Sequence, residues 1–183
     1  MTATARDLED LLTRLVRDVP DFPQQGVVFK DICPLLADHR GFAAVVEGLS
    51  AFGRDDGAAV VVDKVVGVES RGFILAAPVA LNLGVGFVPV RKAGRLPGPT
   101  YRQSYALEYG DATLEIQRDA FGAGDRVLLV DDVLATGGTA NATAALVDRA
   151  GAQVTSMGVL IELGFLAGRE AVAHLDLHAL LRV

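Results

Sequence analysis

Asp131 and Asp132 stand side by side after the apolar run Val127-Leu128-Leu129-Val130, and Val133-Leu134-Ala135-Thr136-Gly137-Gly138-Thr139 follows them. Like charges at adjacent positions cost energy unless something cationic or hydroxylic compensates them. Glycines let the chain turn tightly and gather backbone N–H groups at one point, and a helix starting there adds its positive end. Ala135 to Thr139, with the hydroxyls of Thr136 and Thr139, thus have the makings of a nest for a monophosphate. The two carboxylates suit ribose hydroxyls, or a magnesium ion met through water. No lysine follows the glycines, so this is not a Walker A loop. A plain strand end with a Gly/Thr helix cap uses the same residue types, but it leaves the like charges uncompensated.

A bound anion needs local cations, because the chain itself is acidic: 183 residues with a net charge of −6. Arg91, Lys92 and Arg95 form the densest positive patch. Arg71, in Glu69-Ser70-Arg71-Gly72, offers a forked donor for phosphate oxygens. The alternatives are a charged surface loop and a solvated first-turn arginine. Cys33, His39, His174 and His178 have no motif around them and read as structural or surface residues.

The bulk properties restrict the function classes. Half of the chain is hydrophobic (51%) and the mean hydropathy is +0.36, enough for one domain with its own core. No run approaches the roughly 18 apolar residues of a membrane span, and MTATARDLEDLLTRL lacks the apolar segment of a secretory signal. One cysteine forms no intrachain disulfide, which points to a cytoplasmic protein. An acidic chain with no basic run longer than Arg91-Lys92 is a poor candidate for binding nucleic acid.

The elements that must carry these residues follow from hydrophobic spacing. Residues 6–18 read as an amphipathic helix, and 20–34 as irregular chain between prolines. A second helix spans 41–52, and a valine-rich buried strand 58–68. A helix over 70–84 ends at Gly84, and a strand covers 85–90. Residues 92–104, with two prolines, two glycines and no periodicity, read as a long exposed loop, followed by strands over 105–110 and 112–117. Next come a strand at 125–130, a helix at 137–152 and a strand at 153–163. A short helix at 164–173 and a strand at 175–183 complete the chain. Alternating strands and helices predict an α/β fold: a mostly parallel central sheet flanked by helices, with ligands just beyond the carboxyl ends of its strands.

With its flanks, the stretch at 127–139 resembles the phosphoribosyl pyrophosphate signature of the type I phosphoribosyltransferase family. PDFPQQGVVFKDICPLL, GVESRGFILAAPVA, VPVRKAGRLPGPT and YALEYGDATLEIQRDA resemble the adenine-using branch of that family, in order and at its spacings. The resemblance implies one domain, with a hood over residues 1–36, a core over 37–183 and a flexible catalytic loop or β-flap at about 92–108. It implies transfer of phosphoribose from phosphoribosyl pyrophosphate to adenine, giving AMP and pyrophosphate, with Mg2+ and in a homodimer.

Position by position, Asp131 and Asp132 match the pair facing the ribose, and Ala135, Thr136, Gly137, Gly138 and Thr139 match the 5′-phosphate loop. Glu69, Ser70, Arg71, Arg91, Lys92 and Arg95 match the pyrophosphate contacts, with a cis peptide implied between Glu69 and Ser70. Glu108, with Arg71, takes the catalytic place, on a flap whose closure excludes water from the activated sugar. Val28, Phe29, Lys30 and Leu163 match the adenine pocket. Lys30 stands where the family usually has arginine, and so lacks the fork. The metal is implied to be held mainly by substrate and water, near Asp131 and Asp132, with no direct protein ligand. Two rivals share the fold: transfer to another purine base, and a non-catalytic phosphoribosyl pyrophosphate sensor that regulates transcription. The VVFKD and LEYG segments argue against the first. The second needs a DNA-binding module, for which the 19 residues before Pro20 are too few.

Overall fold

The computed structural model describes residues 5–106 and 111–183. Nine strands and six α-helices alternate along the described chain: α1 Ala5–Leu15, β1 Arg17–Pro20, β2 Val28–Asp31, α2 Cys33–Ala37, α3 His39–Ala51, β3 Lys64–Val68, α4 Arg71–Leu83, β4 Gly86–Lys92, β5 Thr100–Ala106, β6 Asp111–Gln117, β7 Arg126–Leu134, α5 Gly138–Arg149, β8 Gln153–Glu162, α6 Gly168–Ala171 and β9 Leu177–Arg182. Seven strands form one sheet in the order β5-β6-β4-β3-β7-β8-β9. From β4 to β9 every pair is parallel, while β6 pairs antiparallel with both β4 and β5. The predicted mostly parallel sheet is therefore present, with an antiparallel hairpin on one edge.

Both faces of the sheet are covered, which is why its central strands read as unbroken apolar runs. Leu128 and Val130 pack with Leu75, Val79, Val45 and Leu49 on the α3/α4 face. Val127 and Leu129 pack with Leu146, Val147 and Ala140 of α5 on the other. Leu12, Ile32 and Leu35 of the N-terminal segment are buried in the α3/α4 cluster.

Four local expectations are corrected. Residues 20–34 are not irregular: β1 and β2 form a hairpin, and α2 begins at Cys33. Prolines hid the alternation, but the cross-strand ion pairs Arg17–Asp31 and Lys30–Asp18 fit the register. The valine strand is shorter than 58–68. Its first half doubles back, with Ala58 at φ 65° and the Val61 N–H donating to Gly53 O. The loop expected at 92–104 is only 93–99, because β5 starts at Thr100 and pairs along its length with β6. The strand expected to stop at Val130 runs on to Leu134, paired with β8.

That last difference positions the site. β3 pairs with β7 only as far as Val130, so β7 overshoots its neighbour and residues 131–134 have a free edge on that side. The carboxylates are not a strand's end. They lie where one flank of the strand has no strand partner while the other is still paired in the sheet.

Candidate active site

The gap beside that free edge is filled by the turn from β3 into α4. The Glu69–Ser70 peptide is cis, as the resemblance implied. Gly72 lies so close to β7 that a Cβ there would stand 2.7 Å from Asp131 Oδ1, which only a glycine allows. Asp131 Oδ1 accepts the Asp132 N–H at 2.9 Å. Burial, and then the neighbouring Asp132 charge, push the Asp131 carboxyl well above the usual carboxylate range. Burial also raises Asp132, against the opposing pull of Arg71. Arg71 Nε lies 2.6 Å from Asp132 Oδ2, yet this buried oxygen accepts no hydrogen bond among the described residues. A buried acceptor that is ion-paired but not hydrogen-bonded, next to a second carboxylate, is an arrangement that a vicinal diol, with two donors, would complete.

A cavity of about 540 Å3 opens over this pair, lined by Glu69, Ser70, Arg71, Lys92, Tyr105, Asp131, Asp132 and Thr139 together with Asp111–Leu114 of β6. Beside it a hollow of about 70 Å3 is lined by Asp131, Val133–Ala140 and Met157. Two helices begin at these spaces. α5 starts after Gly137, at φ 86°, and α4 after Ser70, and no described side chain caps either N-terminus. Uncapped first-turn N–H groups backed by a helix dipole attract anions. The carboxylate pair thus lies between two anion-seeking helix starts.

The loop at 135–138 also has a back wall that nothing in its local sequence indicates. A Cβ on Gly168 would run into the Ala135 carbonyl oxygen, and one on Gly137 would stand 3.0 Å from Ala171 Cβ and 3.1 Å from Gly168 O. The 168–172 turn is held by Glu162, a carboxylate 3% exposed that takes a forked pair from Arg169 (Nη2 at 2.5 Å, Nε at 3.0 Å), with Arg182 at 3.5 Å. Arg169 in turn donates to Leu177 O of β9.

The predicted cations divide into two groups. Arg71 and Lys92 line the cavity. Arg91 and Arg95 are instead engaged by Glu69, 6% exposed, whose Oε1 accepts Arg95 Nη1 at 2.8 Å and whose Oε2 accepts Arg91 Nε and the Lys92 N–H, both at 3.1 Å. Burial acts to raise the Glu69 carboxyl, but the Lys92 N–H and the two guanidiniums outweigh it and leave it below its ordinary value.

The predicted adenine residues are set apart. Val28, Phe29, Lys30 and Leu163 do not line the cavity. Lys30 Nζ is paired with Asp18 at 2.7 Å, and Val28 is exposed. Leu163 packs on the α3/α4 core, with its N–H on Leu134 O. The hood meets the site at Phe29, with the Arg71 guanidinium 4.9 Å above its ring centroid. Glu108, with its neighbours Leu107 and Tyr109, lies outside the described residues. Sequence reasoning missed Tyr105 and Thr113 as cavity-lining residues; period-2 alternation from Tyr105 through Leu107 to Tyr109 was the available signal. A larger cavity, about 720 Å3, lies between α3 and α4 and contains none of the predicted residues, so volume alone would have misplaced the site.

Comparison with known proteins agrees with this geometry. Residues 35–175 match the family model of the phosphoribosyl transferase domain. The chain is 66% identical over 169 residues to an adenine phosphoribosyltransferase of a Nocardioides species, covering 92% of this chain and 91% of that one. It superposes on the crystal structure of adenine phosphoribosyltransferase from Thermoanaerobacter pseudethanolicus with a TM-score of 0.89 at 45% identity, covering 96% and 99% of the two chains. The Saccharomyces cerevisiae enzyme, crystallised with an iminoaltritol bisphosphate and adenine, gives 0.90 at 37% identity, covering 96% and 99%.

Proposed function

We propose, because this chain belongs to the phosphoribosyltransferase family and within it to the adenine phosphoribosyltransferases, that it converts adenine and phosphoribosyl pyrophosphate to AMP and pyrophosphate in purine salvage. The observation that carries this reading is the pair of uncapped helix starts on either side of an acidic pair with a buried acceptor that lacks a hydrogen bond among the described residues. One substrate with a phosphate at each end and a diol between them matches all three features.

In this reading the 5′-phosphate is held by Ala135, Thr136, Gly137, Gly138 and Thr139, and the ribose hydroxyls by Asp131 and Asp132. Pyrophosphate lies against Ser70, Arg71 and Lys92. Arg91 and Arg95 face the same anion, and Glu69 serves it by aiming those two guanidiniums rather than by touching it, since a carboxylate repels pyrophosphate. As the bond from C1′ to the pyrophosphate oxygen breaks, positive charge grows on the ribose and negative charge on the leaving group. Carboxylates beneath the first and cations around the second stabilise both at once. Adenine N9 forms the new bond to C1′ as the pyrophosphate departs with the electron pair of the broken C1′–O bond, and the purine N–H proton passes to a carboxylate beside the base. Glu108 is the carboxylate assigned to that side of the base.

Adenine is read by backbone groups of Val28, Phe29 and Lys30, beside Leu163, and the Lys30 side chain stays with Asp18. Phe29 offers its ring to the purine when Arg71 turns to the anion. Mg2+, when bound, supplies charge neutralisation on the diphosphate. The donor set suits an ion carried by substrate oxygens and water, with Asp131 and Asp132 nearby.

The chain acts as a cytoplasmic homodimer. In support of the dimer, α4 presents Ile74 and Leu81 at 44% and 83% exposure. The deciding experiment is AMP formation from adenine and phosphoribosyl pyrophosphate, with and without Mg2+, against hypoxanthine and guanine at equal concentration. Turnover of either rival base at a rate matching adenine overturns the assignment. The ribose role is tested by Asp131→Asn with Asp132→Asn, which is expected to weaken phosphoribosyl pyrophosphate binding sharply; unchanged affinity refutes it.

A further inference from the structure

Tyr105 belongs to β5, and its hydroxyl lies 3.0 Å from Thr139 Oγ1, in the first turn of α5. Its ring packs over the preceding residue: a Cβ on Gly138 would stand 3.2 Å from Tyr105 Cδ2. Tyr105 and Thr139 line the same cavity as Asp131 and Asp132. This is a direct polar link between the edge hairpin and the loop assigned to the 5′-phosphate, and nothing above gives it a role.

Each hydroxyl has one proton and two lone pairs, so with no anion present either oxygen can donate to the other. A phosphate oxygen accepts. Once one takes the Thr139 proton, Thr139 has no proton left for the tyrosine and can only accept from it. We propose that Tyr105 is a positioning residue for the 5′-phosphate: it donates to Thr139 Oγ1 and thereby commits the Thr139 proton to the phosphate. The chain runs from Tyr105 O–H to Thr139 O–H to phosphate, each bond polarising the next. Phosphate occupancy thereby strengthens the attachment of β5 to the start of α5, tying the hairpin to the phosphate end of the substrate.

This inference rests on the phosphate assignment for residues 135–139, and the test separates the two. Tyr105→Phe keeps the ring over Gly138 and deletes only the donor. It is expected to raise the KM for phosphoribosyl pyrophosphate, and the calorimetric Kd of ribose 5-phosphate, about fivefold, the worth of one net hydrogen bond. The KM for adenine and the thermal midpoint should move little. Thr139→Ala weakens both phosphorylated ligands at least as much, and Thr139→Ser, which keeps the hydroxyl, restores them. In the double variant Tyr105→Phe with Thr139→Ala, the tyrosine has no threonine to orient, so affinity should equal that of Thr139→Ala alone. Unchanged ribose 5-phosphate affinity in Thr139→Ala overturns the phosphate assignment. A weakened Thr139→Ala beside an unaffected Tyr105→Phe, or a double variant whose losses multiply, overturns the role of Tyr105 while leaving that assignment in place.

Discussion

Glu115 is a buried carboxylate of β6, its side chain 1% exposed, with no part in the proposed chemistry. Its Oε1 accepts the backbone N–H of Arg95 at 2.8 Å and of Leu96 at 2.9 Å; Oε2 faces the Thr100 hydroxyl and Arg102 Nε, both at 3.3 Å. Burial works to raise this carboxyl, and the N–H groups of Leu96, Gly94 and Arg95 with the Arg102 charge outweigh it and hold it below its ordinary value. One side chain thus closes the 93–99 turn that carries Arg95. Removing it and merely neutralising it should differ sharply. Glu115→Ala strands two N–H groups, each costing about 1–3 kcal/mol if buried; water reaching an opened turn relieves part of this, leaving about 3 kcal/mol. Glu115→Gln keeps the Oε1 acceptor and loses mainly the Arg102 partner, which is 62% exposed, so its cost is about 1 kcal/mol. The gap of about 2 kcal/mol corresponds to about thirtyfold in the opening equilibrium of the turn. Native-state trypsin cleavage after Arg95 reports that opening when reclosing outpaces cutting. Cleavage should be about thirtyfold faster in Glu115→Ala than in Glu115→Gln, and urea melts of the two variants should differ by the same ~2 kcal/mol, because the opened turn and the unfolded chain both lack the Glu115 bonds. Rates within threefold of each other would refute the view that the two backbone N–H bonds, rather than the ion pair, hold the turn.

Gly168→Ala drives a methyl against the Ala135 carbonyl. Overpacking of about 1–3 kcal/mol should displace the phosphate loop and raise the KM for phosphoribosyl pyrophosphate about tenfold, more than that for adenine, in initial-rate assays. Acid stability should depend on Asp63, whose carboxyl is lowered from 3.8 to about 2, chiefly by the Arg126 side chain and then by its backbone N–H. Because the folded value is the depressed one, this contribution is fully present above 3.8 and lost as pH falls through about 2. The difference in urea midpoint between wild type and Asp63→Asn should therefore be constant above about pH 5 and shrink toward zero near pH 2.

Among the site residues, the Gly/Thr nest, the acidic pair and the Arg71 turn were legible because their chemistry is local. Glycines, hydroxyls and charges at short spacing state what they can bind, whatever surrounds them. The alternation of strands and helices was equally legible, since burying both faces of a parallel sheet demands unbroken valine and leucine runs. The β1–β2 hairpin was not, because prolines and glycines broke its period and its cross-strand ion pairs join residues 12 and 14 apart.

What the amino-acid sequence alone marked out was the residue types of the candidate site: a Gly/Thr turn, an acidic pair and a cluster of cations. Only the tertiary structure decided how they are held. It made β7 outrun β3, so that Asp131 and Asp132 lie on a flank without a strand partner rather than at a strand's end. It assigned Arg91 and Arg95 to Glu69, and backed the nest with Gly168 from a turn 30 residues away. Those relations are distances between segments remote in the chain, set by how the sheet orders its strands, and residue type and local spacing carry no record of them.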